Sequence, residues 1–355
     1  MPKWYNHAAM HRALTLTVLL TIAIPIGQAD DNTDRYSKQC ADIIAAKGQA
    51  DEGRRLSNLF EANWEYRMIA MPESATWRGY PGQNHRWSDL SMAAIADGKE
   101  SARQTLKAIL SFDRAKLSEA NQLNYDLFRR DAEMAIERQQ FPAEFLVLNQ
   151  MDGLPRDVPS MIAMMPSVRT KDYEDILARL GGIPALVDQT IALLQEGLRR
   201  GIVPPKVPLR TVADQVSGQV HIGPMTTPML SKFKNFPDTI LAAEQTRLTE
   251  AAKVVYADEV RPALKRLHLF LRDEYVPNCR ITVGRSALPN GRAWYDYQIK
   301  HYTTTTLGAD EIHNIGLREV NRIRSEMEAI RKQVGFKGDL YAFFEFLRTD
   351  PQFYY

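Results

Sequence analysis

Apolar residues recur every three or four positions along most of this chain, the spacing that lines one face of an α-helix. Between residues 51 and 71, Leu56, Leu59, Phe60, Trp64 and Met68 form such a stripe, and Pro72 ends it. A loop rich in Gly, Pro and aromatic residues covers 73–87. Ser88 or Asp89 is placed to cap the next helix, which runs to about Phe112. Residues 118–140 make another helix, with Leu123, Leu127, Ala132 and Ile136 as its expected core stripe and Pro142 at its end. The stretch 150–170 reads as irregular, because Pro155, Pro159 and Pro166 interrupt it. Its methionines, Met151, Met161, Met164 and Met165, read as gap-filling core rather than as the lining of a groove. Helices resume over 173–180 and 183–200 and break at Gly201-Ile202-Val203-Pro204-Pro205; residues 220–237 are again punctuated by Gly and Pro.

The longest helical pattern spans 238–275. Tyr256, Val260, Ala263, Leu267 and Phe270 or Leu271 mark its buried face, and Pro262 predicts a kink or a division. The last helix runs from Ala309 to Val334, with Gly308 as its N-cap and Asp310 and Glu311 at the positive end of its dipole. Val320, Ile323, Met327, Ile330 and Val334 repeat at three, four, three and four, a pattern that predicts a buried seam, and Gly335 stops the helix. Strand signals are sparse; Arg280-Ile281-Thr282-Val283 is the best candidate. The expected fold is mainly α, a large helical scaffold with Pro/Gly-rich loops and few or no strands.

The N-terminus changes the compartment. Lys3 and Arg12 precede an apolar run from Ala13 to Ile26, and Gly27-Gln28-Ala29 supplies small residues for cleavage before Asp30. Residues 1–29 therefore read as a signal peptide, and 30–355 as one helical domain in the periplasm or outside the cell. No stable membrane anchor is expected after cleavage. Removing Lys3 and Arg12 leaves equal numbers of basic and acidic residues, so the basic excess of a nucleic-acid binder is missing. Cys40 and Cys279 are the two cysteines; they are either a disulfide pair or two separate buried thiols.

From Tyr256 onward the chain carries a series of recognisable segments. They include Tyr256-Ala257-Asp258-Glu259-Val260-Arg261-Pro262-Ala263, Leu288-Pro289-Asn290-Gly291-Arg292-Ala293-Trp294-Tyr295 and Asp310-Glu311-Ile312-His313. Gly335-Phe336-Lys337-Gly338 and Phe346-Leu347-Arg348-Thr349-Asp350-Pro351 close the series. These resemble the DUF885 family of bacterial proteins, and Met151-Asp152-Gly153 fits it more diffusely. The resemblance implies a helical fold similar to zinc metallopeptidases of the gluzincin type. In that type two His on one helix and a later carboxylate hold Zn²⁺, and a Glu beside the first His is the general base.

The zinc element has no counterpart here. The histidines are His7, His11, His85, His221, His268, His301 and His313, and none is followed directly by Glu. The aromatic end Phe353-Tyr354-Tyr355 is reached with no zinc motif, so the expectation is the N-terminal part of a larger, exported, peptidase-like protein. As it stands the chain is expected to be inactive and free of cofactor, with zinc only in a full-length relative. Peptide is the expected substrate once a C-terminal region completes it. The alternative is a truncated, non-catalytic helical binding protein, or the product of a decaying gene.

The dense polar and aromatic segment at 291–302 supplies the candidate substrate contacts. For a peptidase of this type, Tyr295, His301 or Tyr302 would hydrogen-bond an oxyanion, and Arg292 would hold a carboxylate. His313, three residues from Asp310, is a candidate for a carboxylate–His pair. Thr303-Thr304-Thr305-Thr306 reads as an approach to a helix cap rather than as a nucleophile cluster. A Gly-x-Ser-x-Gly elbow, a phosphate loop and a dinucleotide fingerprint are all absent.

Overall fold

The computed structural model describes residues 28–354. The expected signal peptide lies outside the described residues apart from Gln28 and Ala29, whose backbone opens the first helix. The helices are α1 (Gln28–Ala45), α2 (Glu52–Ala70), α3 (Pro72–Trp77), α4 (Met92–Leu110) and α5 (Glu119–Arg138). Then come α6 (Leu154–Met164), α7 (Thr170–Gly181), α8 (Ile183–Arg200), α9 (Val212–His221), α10 (Ala242–Val255), α11 (Arg261–Phe270) and α12 (Val276–Asn278). The last three are α13 (Gly291–Thr303), α14 (Ala309–Gln333) and α15 (Leu340–Thr349). The fold is all-α. The expected strand at Arg280–Val283 does not form: among the described residues the extended pairing is one isolated parallel bridge between Pro205 and Arg280. Arg280 instead turns inward, donating to the carbonyls of Val203 at 3.0 Å and Gly284 at 2.8 Å.

Three apolar clusters hold the helices. Tyr36, Cys40, Leu56, Leu59, Ile109 and Tyr125 join α1, α2, α4 and α5. A larger cluster, with Ile162, Ile176, Val187, Val216, Leu248 and Leu264 among its members, gathers α6 to α11. Phe141, Phe145, Leu193, Trp294 and Tyr297 dock α13 between α5 and α8. Cys40 and Cys279 are both buried free thiols, and they sit in different clusters, so no disulfide joins them.

Local chemistry explains most helix ends. Asp51, Ser91, Ser118 and Asp339 each accept an N–H from the first turn of the helix they cap. The cap of α4 is therefore Ser91, not Ser88 or Asp89; Ser88 is engaged by the Glu73 carboxylate instead. Gly201 closes α8 in the left-handed region at φ 70°. Residues 154–164 are helical despite their prolines. Pro155 falls in the first turn, where no N–H is needed. Pro159 leaves the Pro155 carbonyl without its helical donor, and the Gln219 amide of α9 takes that place. The methionines nearby divide: Met165 is buried, while Met151 and Met164 are exposed.

The long helix predicted over 238–275 runs from α10 through α12, and prolines shape it twice. Tyr256–Val260 and Leu271–Tyr275 are π-helical turns, and each leads into a residue followed by proline. The sequence repeats itself there: Asp258-Glu259-Val260-Arg261-Pro262, then Asp273-Glu274-Tyr275-Val276-Pro277. A proline ring collides with the carbonyl four residues back. Widening the turn avoids that collision, so the Arg261 N–H reaches the Tyr256 carbonyl, and the Val276 N–H that of Leu271. The helix thus continues past both prolines. Tyr256, Val260, Ala263, Leu267 and Leu271 are fully buried, the face the periodicity indicates, with Leu271 rather than Phe270 completing it.

Two apolar stripes depart from expectation, the first in part, since Ala132 of the expected α5 stripe is buried. On α5 the buried residues are Tyr125, Ala132 and Met134, while Leu123 and Leu127 face solvent. On α14 no residue is buried; the Val320–Val334 seam is exposed.

Candidate functional site

Helix α13 is built for a close approach. Asn290 adopts φ 53°, which brings Gly291 so near the preceding 3-10 turn that a Cβ there would lie 2.1 Å from the Arg285 carbonyl oxygen. Only glycine fits, which accounts for Asn-Gly at this point. Trp294 then packs against Phe141 with ring centroids 5.7 Å apart, and the Arg285 guanidinium lies 4.7 Å from the centre of a Trp294 ring. Tyr297 stacks obliquely on Phe141 and donates its hydroxyl to the Met134 carbonyl at 3.2 Å. Burial pushes the Tyr297 phenol upward from its ordinary range. Trp294 and Tyr297 are thus the anchored face of α13.

The opposite face carries most of the candidate residues. Arg292, Tyr295 and Tyr302, spaced three and seven apart, share an outer stripe, with Tyr295 46% and Tyr302 78% exposed. His301 stacks on Tyr297 at 5.9 Å and meets Tyr302 edge-on at 5.0 Å, while its backbone carbonyl accepts from Arg130. These four residues are therefore brought onto one helix. His313 stands apart in the first turn of α14. It is exposed there, as is Asp310's neighbour Glu311.

Beside this stripe is a groove of about 410 Å³ between α5, α13 and the loop 304–308. Arg130, Glu133 and Glu137 enter it from α5, and Asp296 and Lys300 from α13. Lys300 and Glu137 pair at 2.6 Å across it. The threonine run forms the rim. Thr303 Oγ1 donates to the Ile299 carbonyl and lies 2.9 Å from Thr305 Oγ1, and the Leu307 N–H reaches Thr305 Oγ1 at 3.3 Å. Thr304 is held at φ 59°, a strained conformation for a β-branched residue. The Thr303 and Thr305 hydroxyls are thus spent on shaping the turn. Asp296 and Lys300, four apart, carried a charge-spacing signal that the aromatic pattern overshadowed, and nothing local could link Arg130 to them.

The described residues do not fit a zinc site. No group of three His, Cys, Asp or Glu side chains converges on one point among them. The outer face of α13 and the groove beside it thus combine groups of both charges with exposed rings.

Comparison with known proteins agrees with this reading of the fold. The crystal structure of the "putative lipoprotein from Colwellia psychrerythraea" is similar, with a TM-score of 0.68 at 18% identity; the match covers 90% of this chain and 55% of that one. The chain thus spans about half the length of that relative. No curated protein matches the sequence. The family described as "Bacterial protein of unknown function (DUF885)" matches residues 72–355. With most of its length in that match, the chain belongs to the DUF885 family.

Proposed function

We propose that this chain supplies the substrate-binding wall of an exported, DUF885-type zinc-dependent peptidase, and that the outer face of α13 receives an extended peptide. The exposed stripe of Arg292, Tyr295 and Tyr302 beside a two-signed groove carries the reading. Arg292 clamps a substrate carboxylate with paired N–H donors, and the two phenols donate to peptide carbonyls. His301 holds Tyr302 in place by ring contact. On this reading the residues of α13 bind and orient the peptide. The N-terminal apolar run supports export to the periplasm or beyond, without a lasting membrane anchor. Balanced charge outside that run speaks for a peptide partner over nucleic acid.

A second reading, a helical binding protein without catalysis, is favoured by the uncovered apolar seam of α14. The first reading places a ligand on α13. Fluorescence anisotropy of a labelled, unstructured peptide tests this: Tyr295→Ala with Tyr302→Ala weakens binding about tenfold, a loss of about 1.4 kcal/mol. Unchanged affinity in the double variant rejects the site.

A further inference from the structure

The groove beside α13 is apolar along its walls and charged at its edges. Met134 from α5 is buried, Ile299 from α13 and Leu307 from the following loop are half-buried, and all three line it. Its shape is set within the chain, because the Tyr297 hydroxyl ties α13 to the Met134 carbonyl of α5 at 3.2 Å. A slot of this kind takes an unbranched aliphatic stem and keeps a polar head at its edge.

The sign of that head follows from which charges are already used. Three carboxylates and two cations line the groove: Glu133, Glu137 and Asp296 against Arg130 and Lys300. Lys300 is taken by Glu137 at 2.6 Å, and Glu133 by Arg129, outside the lining, at 2.7 Å. Arg130 lies 3.7 Å from Asp131 and donates to the His301 carbonyl at 3.4 Å. Asp296 is exposed and is left as the lining carboxylate without an ion pair among the described residues. The charge that the groove lacks is therefore positive, and a negative head would meet an unanswered carboxylate.

Arg292 supplies the other end. It precedes Asp296 by four residues, so the two stand on one side of α13, about 6 Å apart along its axis, a span that a four-carbon stem covers. Both are exposed, and an ion pair between two such groups is weak enough to give way to a ligand carrying both charges.

We propose that this groove receives the side chain of a C-terminal lysine or arginine, with the carboxylate of that residue on Arg292 and its cation on Asp296. The proposal rests on the reading of α13 as a peptide wall and adds the class of peptide that the wall selects, chains ending in a basic residue.

Calorimetric titration of three peptides into the full chain tests it, the peptides being identical except for a C-terminal Lys, norleucine or Glu. Norleucine keeps the aliphatic stem and lacks the charge. The Lys peptide binds the parent about tenfold more tightly than the norleucine peptide, and the Glu peptide binds more weakly than either. Asp296→Asn abolishes the preference for Lys, and Asp296→Lys turns it toward Glu. Asp296 is exposed, so neither exchange disturbs the packed face of α13. If norleucine binds and Lys binds no more tightly, or if the Lys preference survives Asp296→Asn, the assignment of the groove is overturned while the peptide wall stands. If none of the three peptides binds, the wall itself falls and this proposal falls with it.

Discussion

Replacing Arg179 with Met should weaken the fold more than any other single exchange of a charged residue on α7. Arg179 is fully buried. Its guanidinium donates to the Arg86 carbonyl at 3.0 and 2.7 Å, the Gln83 carbonyl at 3.0 Å and Thr76 Oγ1 at 2.9 Å. The Trp87 ring lies 5.1 Å from it, and the Trp87 indole N–H returns to the Arg179 carbonyl at 2.7 Å. One side chain therefore fastens the loop after α3 to the core. Burial pushes Arg179 down to about 10, with Glu73 and Asp175 acting against the shift, so it remains a cation at neutral pH. Met fills similar volume and removes the cost of burying charge, but it strands two carbonyls at about 1–3 kcal/mol each. The expected net loss is about 2–4 kcal/mol. Lys should lose nearly as much, because a single ammonium cannot span three acceptors. Urea unfolding followed by far-ultraviolet circular dichroism reads the change. Stability within about 0.5 kcal/mol of the parent in Arg179→Met would refute the clamp.

Other outcomes follow from the same geometry. Cys279 is pushed by burial up to about 11, so at pH 8 only about one thiol in a thousand is ionised; thiol reagents should label Cys40 and Cys279 only after denaturation, and rapid native labelling would contradict their placement. Asp172 accepts the Val168 and Arg169 N–H groups at 3.0 and 2.9 Å, and although burial works against it, these bonds and the Arg169 side chain hold it below the ordinary carboxylate range. Its stabilisation is therefore complete above an unfolded value of about 3.9 and fades as pH falls through the lower folded value. Asp172→Asn should reduce the acid dependence of the melting temperature there, and an unchanged profile would count against these bonds. Metal analysis of the purified 355-residue chain should find zinc well below one equivalent, and a tightly held stoichiometric ion would overturn the misfit of its histidines.

The helical architecture and the buried face from Tyr256 to Leu271 were legible because a single packed side leaves a clean three-four repeat. The α5 stripe was not, because Leu123 and Leu127 have the right spacing on a face that nothing covers; periodicity reports a face and not its partner. Helix α14 teaches the same lesson more fully. Helix α6 was hidden by prolines whose cost depends on their place in the helix and on Gln219, far away in sequence. The π-helical turns were written in the two Asp-Glu-x-x-Pro repeats, a pattern meaningful only once each helix is seen to pass its proline. The aromatic cluster of α13 was legible as a dense local segment, whereas Arg130 reaches the groove from another helix and Arg179 anchors a loop nearly a hundred residues before it.

The most direct measurement is a calorimetric titration of one short peptide in two forms, with a free C-terminal carboxylate and with a C-terminal amide, into the parent chain and Arg292→Ala. If α13 is a substrate wall with Arg292 as its anion clamp, the free acid binds the parent about tenfold more tightly than the amide, and Arg292→Ala erases the difference. Equal affinities for both peptides, or a preference that survives Arg292→Ala, would contradict the account.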